Sequence, residues 1–165
     1  MFNFSFEYIK GPVINGASYC EADFGFYFEG NLKDNYQNIF MISLDPLEIY
    51  VDFEKRHIIH VSGYCPYNVW NIGLIPDFAD ITGTVEVLSV QPVQEFVAYR
   101  IEKKEWSFIF DIEKRMFFAG NFASFSNGKF IKINYNQWII LSDSAIIGIL
   151  MRPLELDNFL NSLRK

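Results

Sequence analysis

Residues 47–70 read LEIYVDFEKRHIIHVSGYCPYNVW, and this stretch decides the fold. Leu47, Ile49, Val51 and Phe53 alternate with Glu48, Tyr50 and Asp52, the period-two pattern of a strand with one buried face. Glu54-Lys55-Arg56 interrupts the pattern with three charges that suit a solvated hairpin tip. His57 to Ser62 resumes an extended, β-branched run, and Gly63-Tyr64-Cys65-Pro66 is the kind of sequence that ends a strand. The stretch is one hairpin followed by an aromatic loop.

Outward from it, the chain repeats the device. Upstream, Phe2 to Tyr8 alternates aromatic with polar residues, Asn15-Gly16 is a turn dipeptide, and Phe24, Phe26 and Phe28 alternate again. Leu32 to Gln37 is polar, and Asn38 to Leu44 reads as a short strand. Downstream, Tyr67 to Gly73 has no steady period and Pro76 to Asp80 is too short for a helix. Strands are expected over Thr82–Val90 and Glu95–Ile101, then over Trp106–Asp111 after a charged tip at Glu102-Lys103-Lys104-Glu105. Asp52-Phe53-Glu54-Lys55-Arg56 is echoed by Asp111-Ile112-Glu113-Lys114-Arg115, again followed by an apolar run. Chance or shared turn chemistry explains that echo about as well as duplication. Ser126 to Lys129 is a further turn, leading to Phe130, Ile131 and Ile133.

Trp138–Leu141 and Ala145–Met151 form a last hairpin, and the second arm is apolar on both faces. Such a strand is covered on both sides. The expected cover is a helix opened by Pro153, with Leu156, Phe159, Leu160 and Leu163 on one stripe and Arg164 and Lys165 at its C-terminal end. The expected fold is mainly β: an antiparallel curved sheet or two-layer meander of about nine to ten strands, with one C-terminal amphipathic helix, in a single domain over residues 1–165.

The composition sets limits on function. Half of the 165 residues are apolar and eighteen are phenylalanine, too hydrophobic for a disordered chain. A chain this long buries about 70% of its unfolded surface without disulfides or metals. Met1 to Glu7 lacks the features of a targeting segment, and the longest apolar run, Ala145–Met151, is shorter than the roughly 20 residues a membrane helix needs. A cytoplasmic protein with reduced Cys20 and Cys65 is expected, with no membrane contact. Net charge is −6 and unevenly spread. Residues 21–99 carry twelve acids against Lys33, Lys55 and Arg56, whereas residues 100–165 carry ten bases against seven acids. No Lys or Arg lies between Arg56 and Arg100. That field repels a phosphate backbone and attracts a basic partner, so no nucleic-acid binding is expected.

Catalytic signatures are missing: the sequence has no phosphate loop, no GxSxG and no HExxH. His57 and His60, three apart on a strand, point to opposite faces and do not easily share a metal. Cys65 is a candidate nucleophile, but no helix N-terminus or third group is evident beside it. Tyr64, Tyr67 and Trp70 crowd one Gly/Pro-bounded loop, where aromatic residues either anchor an interface or plug the end of a sheet. Asp77, Asp80 and Glu86 fall in the base-free interval. These acids and the three loop aromatics are the candidate partner-binding residues; no catalytic residue, metal or cofactor is expected.

The order of features resembles that of immunity proteins from bacterial polymorphic toxin and contact-dependent growth inhibition systems. It consists of Ser62-Gly63-Tyr64-Cys65-Pro66 with Trp70, Leu74-Ile75-Pro76, Gly83 opening a strand, Trp106 to Asp111, and Trp138 with an apolar strand before a C-terminal helix. The resemblance implies a cytoplasmic antitoxin that binds one cognate basic toxin domain, often a nuclease, and blocks it. Two other readings stand beside it. One is a β-barrel carrying a small apolar ligand in a lumen lined by Phe24, Phe26, Phe108 and Phe110. The other is a hydrolase using Cys65 or paired carboxylates.

Overall fold

A computed structural model describes residues 3–11, 17–20, 25–28, 38–101, 106–154 and 156–162. Several expectations fall outside them: the Asn15-Gly16 turn, Phe24, the segment Leu32 to Gln37, the Glu102–Glu105 tip, and Leu163, Arg164 and Lys165. The side chains of Cys20, Phe28 and Phe159 lie outside them too.

The opening hairpin forms as its pattern dictates. Strand β5 (Leu47–Asp52) buries Leu47, Ile49 and Val51, and pairs antiparallel with β6 (Ile58–Tyr64). Strand β6 runs on through Gly63 and Tyr64, the residues expected to end it. These two strands are the middle of a six-stranded sheet of order β10-β4-β5-β6-β3-β2, completed by β2 (Ala17–Cys20), β3 (Gly25–Phe28), β4 (Ile39–Ser43) and β10 (Ala98–Arg100). A seven-stranded sheet of order β7-β11-β12-β15-β14-β13-β8 stacks on it. Its strands are β7 (Asn71–Ile72), β8 (Asp80–Thr82), β11 (Ser107–Asp111), β12 (Met116–Gly120), β13 (Lys129–Asn134), β14 (Gln137–Ser142) and β15 (Ala145–Met151). A ribbon of β1 (Phe4–Ile9) and β9 (Thr84–Ser89) flanks both, turning Phe6, Val85 and Val87 into the shared core.

The mainly β, largely antiparallel character is as the sequence predicts. The strand number is not: sheets of two, six and seven strands exceed the expected nine or ten. The surplus is mostly short edge strands. β7, β8 and β10 have two or three residues each and pair parallel to their neighbours, too short to carry a period. Among the described residues no sheet closes on itself. The space between the sheets is filled by rings, with Phe26 and Phe117 centroids 5.0 Å apart and Trp70 packed 5.4 Å from Phe110. Phe26 and Phe110 are therefore core residues and do not line a lumen, and Phe108 is half-buried against the same core.

The C-terminal helix requires correction. Helix α1 spans only Asp157–Ser162, and Pro153 lies four residues before it, not at its first turn. Leu156 precedes the helix and is buried; with the half-buried Leu160 it packs into the core between the sheets. The far face of β15 is covered by something else. Ile147 and Leu150 meet a second apolar cluster containing Phe125 of a 3-10 helix (Phe122–Asn127) and Ile75 of the segment between β7 and β8.

The echoed pentapeptides occupy the same turn. In the β5–β6 hairpin, Lys55 N–H donates to Asp52 Oδ1 at 2.7 Å; in the β11–β12 hairpin, Lys114 N–H donates to Asp111 Oδ1 at 2.9 Å. Arg56 and Arg115 then take positive φ, 60° and 51°. An aspartate that bonds its own turn allows the chain to reverse without a glycine. The likeness extends from the sequence to the turn itself.

Candidate functional site

Residues 73–79 form a strap across the outside of the seven-stranded sheet. It joins β7 at one edge to β8 at the other. Crossing that sheet means covering about six strand spacings of roughly 4.8 Å, about 29 Å in all, while eight residue steps reach about 26–29 Å when extended. The segment therefore has almost no slack. Its side chains sort accordingly: Ile75 is buried and Phe78 stacks 4.7 Å from Phe130 and edge-on to Trp138, while Leu74, Pro76, Asp77 and Ala79 are exposed.

The β11–β12 turn pins the strap. Ile75 N–H donates to Asp111 Oδ2 at 2.8 Å, and Lys114 Nζ donates to Ile75 O at 2.5 Å and to Asp77 Oδ1 at 2.6 Å. Burial on its own raises a carboxyl group, but the N–H donors of Lys114, Ile75 and Glu113 and the Lys114 charge outweigh it. Asp111 is held below the usual carboxylate range. At the other end of the strap, Trp138 Nε1–H donates to Asp80 Oδ2 at 2.6 Å. The strap thus presents Asp77, fully solvated on its outer side, and Asp80 on a fixed backbone.

The six candidate residues do not converge on one patch. Asp77 lies on the strap and Asp80 at its end, as the first residue of β8. Glu86 is half-buried on β9, opposite Glu7, and bridges to His57 through the backbone. Tyr64 is exposed beside an open groove bordered by Asp45, Glu48 and Arg100, where Arg100 and Asp45 form an ion pair at 3.3 Å. Tyr67 is half-buried against the core. Trp70 is buried among Phe26, Phe110 and Phe117, so of the two roles open to the loop aromatics it takes the plugging one.

Cys65 sits under that plug. Its side chain is fully buried, burial pushes the thiol up to about 11, and the Trp70 indole N–H reaches Sγ at 3.4 Å, which offsets part of the rise. A thiol in this state is protonated at neutral pH and closed to a substrate. His60 is buried as well and stacks on Tyr50 at 4.5 Å, whereas His57 is half-buried at the β6 entrance. Among the described residues no three His, Cys, Asp or Glu side chains gather as a metal site would require.

Burial drives His60 down to about 3. An unfolded histidine titrates near 6.5, so below that pH the unfolded chain takes a proton that the folded chain refuses. Stability should therefore fall as pH drops from about 6.5 towards 3, by at most about 1.4 kcal/mol per pH unit from this group. His60→Phe keeps a ring against Tyr50 and removes the proton. Denaturation midpoints at pH 7.5 and 5 should diverge less in that variant than in the parent chain. Asp111 acts in the same direction only in the carboxylate range, at lower pH.

One polar residue that pattern reading passes over is Gln137. It lies fully buried on β14, and its side-chain amide crosses to the other sheet, accepting from Val61 N–H at 3.0 Å and donating to Val61 O at 2.6 Å. The cluster Asn134, Asn136 and Gln137 amid apolar strands was its only signal. Comparison with protein-family models, curated proteins and solved structures gives no match for this chain.

Proposed function

We propose that this chain is a non-enzymatic inhibitor, an immunity protein that occupies a basic toxin domain through an acidic surface. The observation that carries the reading is the strap. It is pinned from beneath and carries Asp77 exposed, with one oxygen paired to Lys114, and Asp80 exposed where β8 begins, and it lies in the interval from Arg56 to Arg100 where the sequence has no basic side chain. A surface ordered before binding loses less entropy on association, and complementary charge speeds encounter and sets partner choice. Leu74, exposed on the same strap, supplies apolar area. The state of the Cys65 thiol supports the reading over thiol catalysis. Among the described residues no helix is long and apolar enough to cross a membrane.

The reading predicts a toxin domain encoded beside this gene, and co-expression of the two tests it. The chain should restore growth, and the triple variant Asp77→Lys, Asp80→Lys and Glu86→Lys should restore it less well. Full protection by a folded triple variant would refute the acidic-surface reading. Turnover of a small molecule by the purified chain would refute the non-enzymatic one.

A further inference from the structure

Two β-bulges in different sheets open onto one cavity. In β6 the register passes over Ile59, because Val51 faces Ile58 while Tyr50 faces His60. In β13 it passes over Ile133, because Lys132 faces Trp138 while Asn134 faces Gln137. A bulge takes its extra residue out of the ladder and re-aims the side chain, and such insertions recur beside functional sites. Here both extra residues, Ile59 and Ile133, line the same cavity of about 320 Å³ beneath the β1–β9 ribbon. That volume lies at the small end of ordinary ligand sites.

The lining is divided by chemistry. Isoleucines make its apolar part, and the polar side holds Lys10, Lys55 and His57 against a single carboxylate, Asp52. Asp52 Oδ1 already accepts the Lys55 backbone N–H at 2.7 Å, so that carboxylate is engaged in the turn. Lys10 and Lys55 are exposed and able to swing over the opening. Two ammonium groups and an imidazole above an aliphatic pocket favour an anion with a short hydrocarbon body.

We propose that this cavity binds a small organic carboxylate, with its hydrocarbon against Ile59 and Ile133 and its carboxylate held by Lys10, Lys55 and His57. The site is separate from the strap, and it stands or falls independently of the partner-binding reading.

Octanoate, octanol and inorganic phosphate are the probes, titrated into the full chain while backbone amide and His57 ring resonances are followed. Octanoate should give saturable shifts at Ile59, Ile133 and His57, with affinity at least about tenfold above octanol or phosphate, the worth of one charge-assisted contact. Lys10→Glu with Lys55→Glu, both at exposed positions, should weaken octanoate about tenfold and leave octanol unchanged. Absent or scattered shifts would overturn the proposal. Equal binding of octanol would reduce the cavity to an apolar hole, and equal binding of phosphate would reduce the rim to surface charge; either also overturns it.

Discussion

Gln137→Leu should destabilise the protein by roughly 3–6 kcal/mol, since it strands two buried backbone groups at about 1–3 kcal/mol each and deprives Asn134 of its acceptor. The side-chain amide of Gln137 carries a C=O and an N–H₂ in one plane, as a peptide does, and it satisfies Val61 as a neighbouring strand would. Val61 needs this because β3 pairs with β6 only from Gly63 onward, through Phe26↔Gly63 and Gly25↔Tyr64. Asn134 Nδ2 also donates to Gln137 Oε1 at 2.6 Å and Gln137 Nε2–H reaches Met151 Sδ at 3.3 Å, so a single amide joins Val61, Asn134 and Met151 across the two sheets. Leucine has a similar volume, so the loss is one of hydrogen bonds and not of packing. Against a typical stability of about 5–15 kcal/mol, that loss is large. Equilibrium denaturation measures it. A change below about 1 kcal/mol would mean that the two sheets do not depend on this link.

Asp111→Ala is the second large effect, expected at about 3 kcal/mol, because it leaves the Ile75 and Lys114 backbone N–H groups without their acceptor and frees the strap. The matching turn supplies the control. Asp52 makes the same bond to the N–H three residues on, but no strap bond to Asp52 accompanies it, so Asp52→Ala should cost only about 1 kcal/mol. The difference between the two variants is the strap's share. Amide exchange at Ile75 should accelerate in Asp111→Ala and stay unchanged in Asp52→Ala. Equal costs and an unchanged Ile75 would mean that the strap is held by its apolar contacts alone.

These comparisons also explain what could be read from the residues. Alternation made β5, β9 and β14–β15 legible, since each buries every second residue or lies wholly inside. The charged tip at Glu54–Arg56 was legible because it breaks that alternation. The strap was not, because Ile75 and Phe78 are three apart in a segment with no ladder to impose a period. The cover of β15 was assigned to the tail on the strength of an apolar stripe, whereas Phe125 and Ile75 supply it from two segments distant in sequence. Trp70 shows the limit most plainly. A Gly/Pro-bounded aromatic loop fits an interface or a plug, and only the rings of Phe26, Phe110 and Phe117 around it decide for the plug. Asp77 and Asp80 could be chosen from the charge distribution, but their common support could not, since it depends on Asp111, Lys114 and Trp138.

The most direct measurement is the association rate with the proposed partner, a basic toxin domain, at two salt concentrations, for the parent chain and for Asp77→Lys with Asp80→Lys. Steering by an acidic strap predicts a rate that falls as salt rises, and a variant about tenfold slower at low salt with little salt dependence left. Identical rates and identical salt dependence for the two proteins would contradict it.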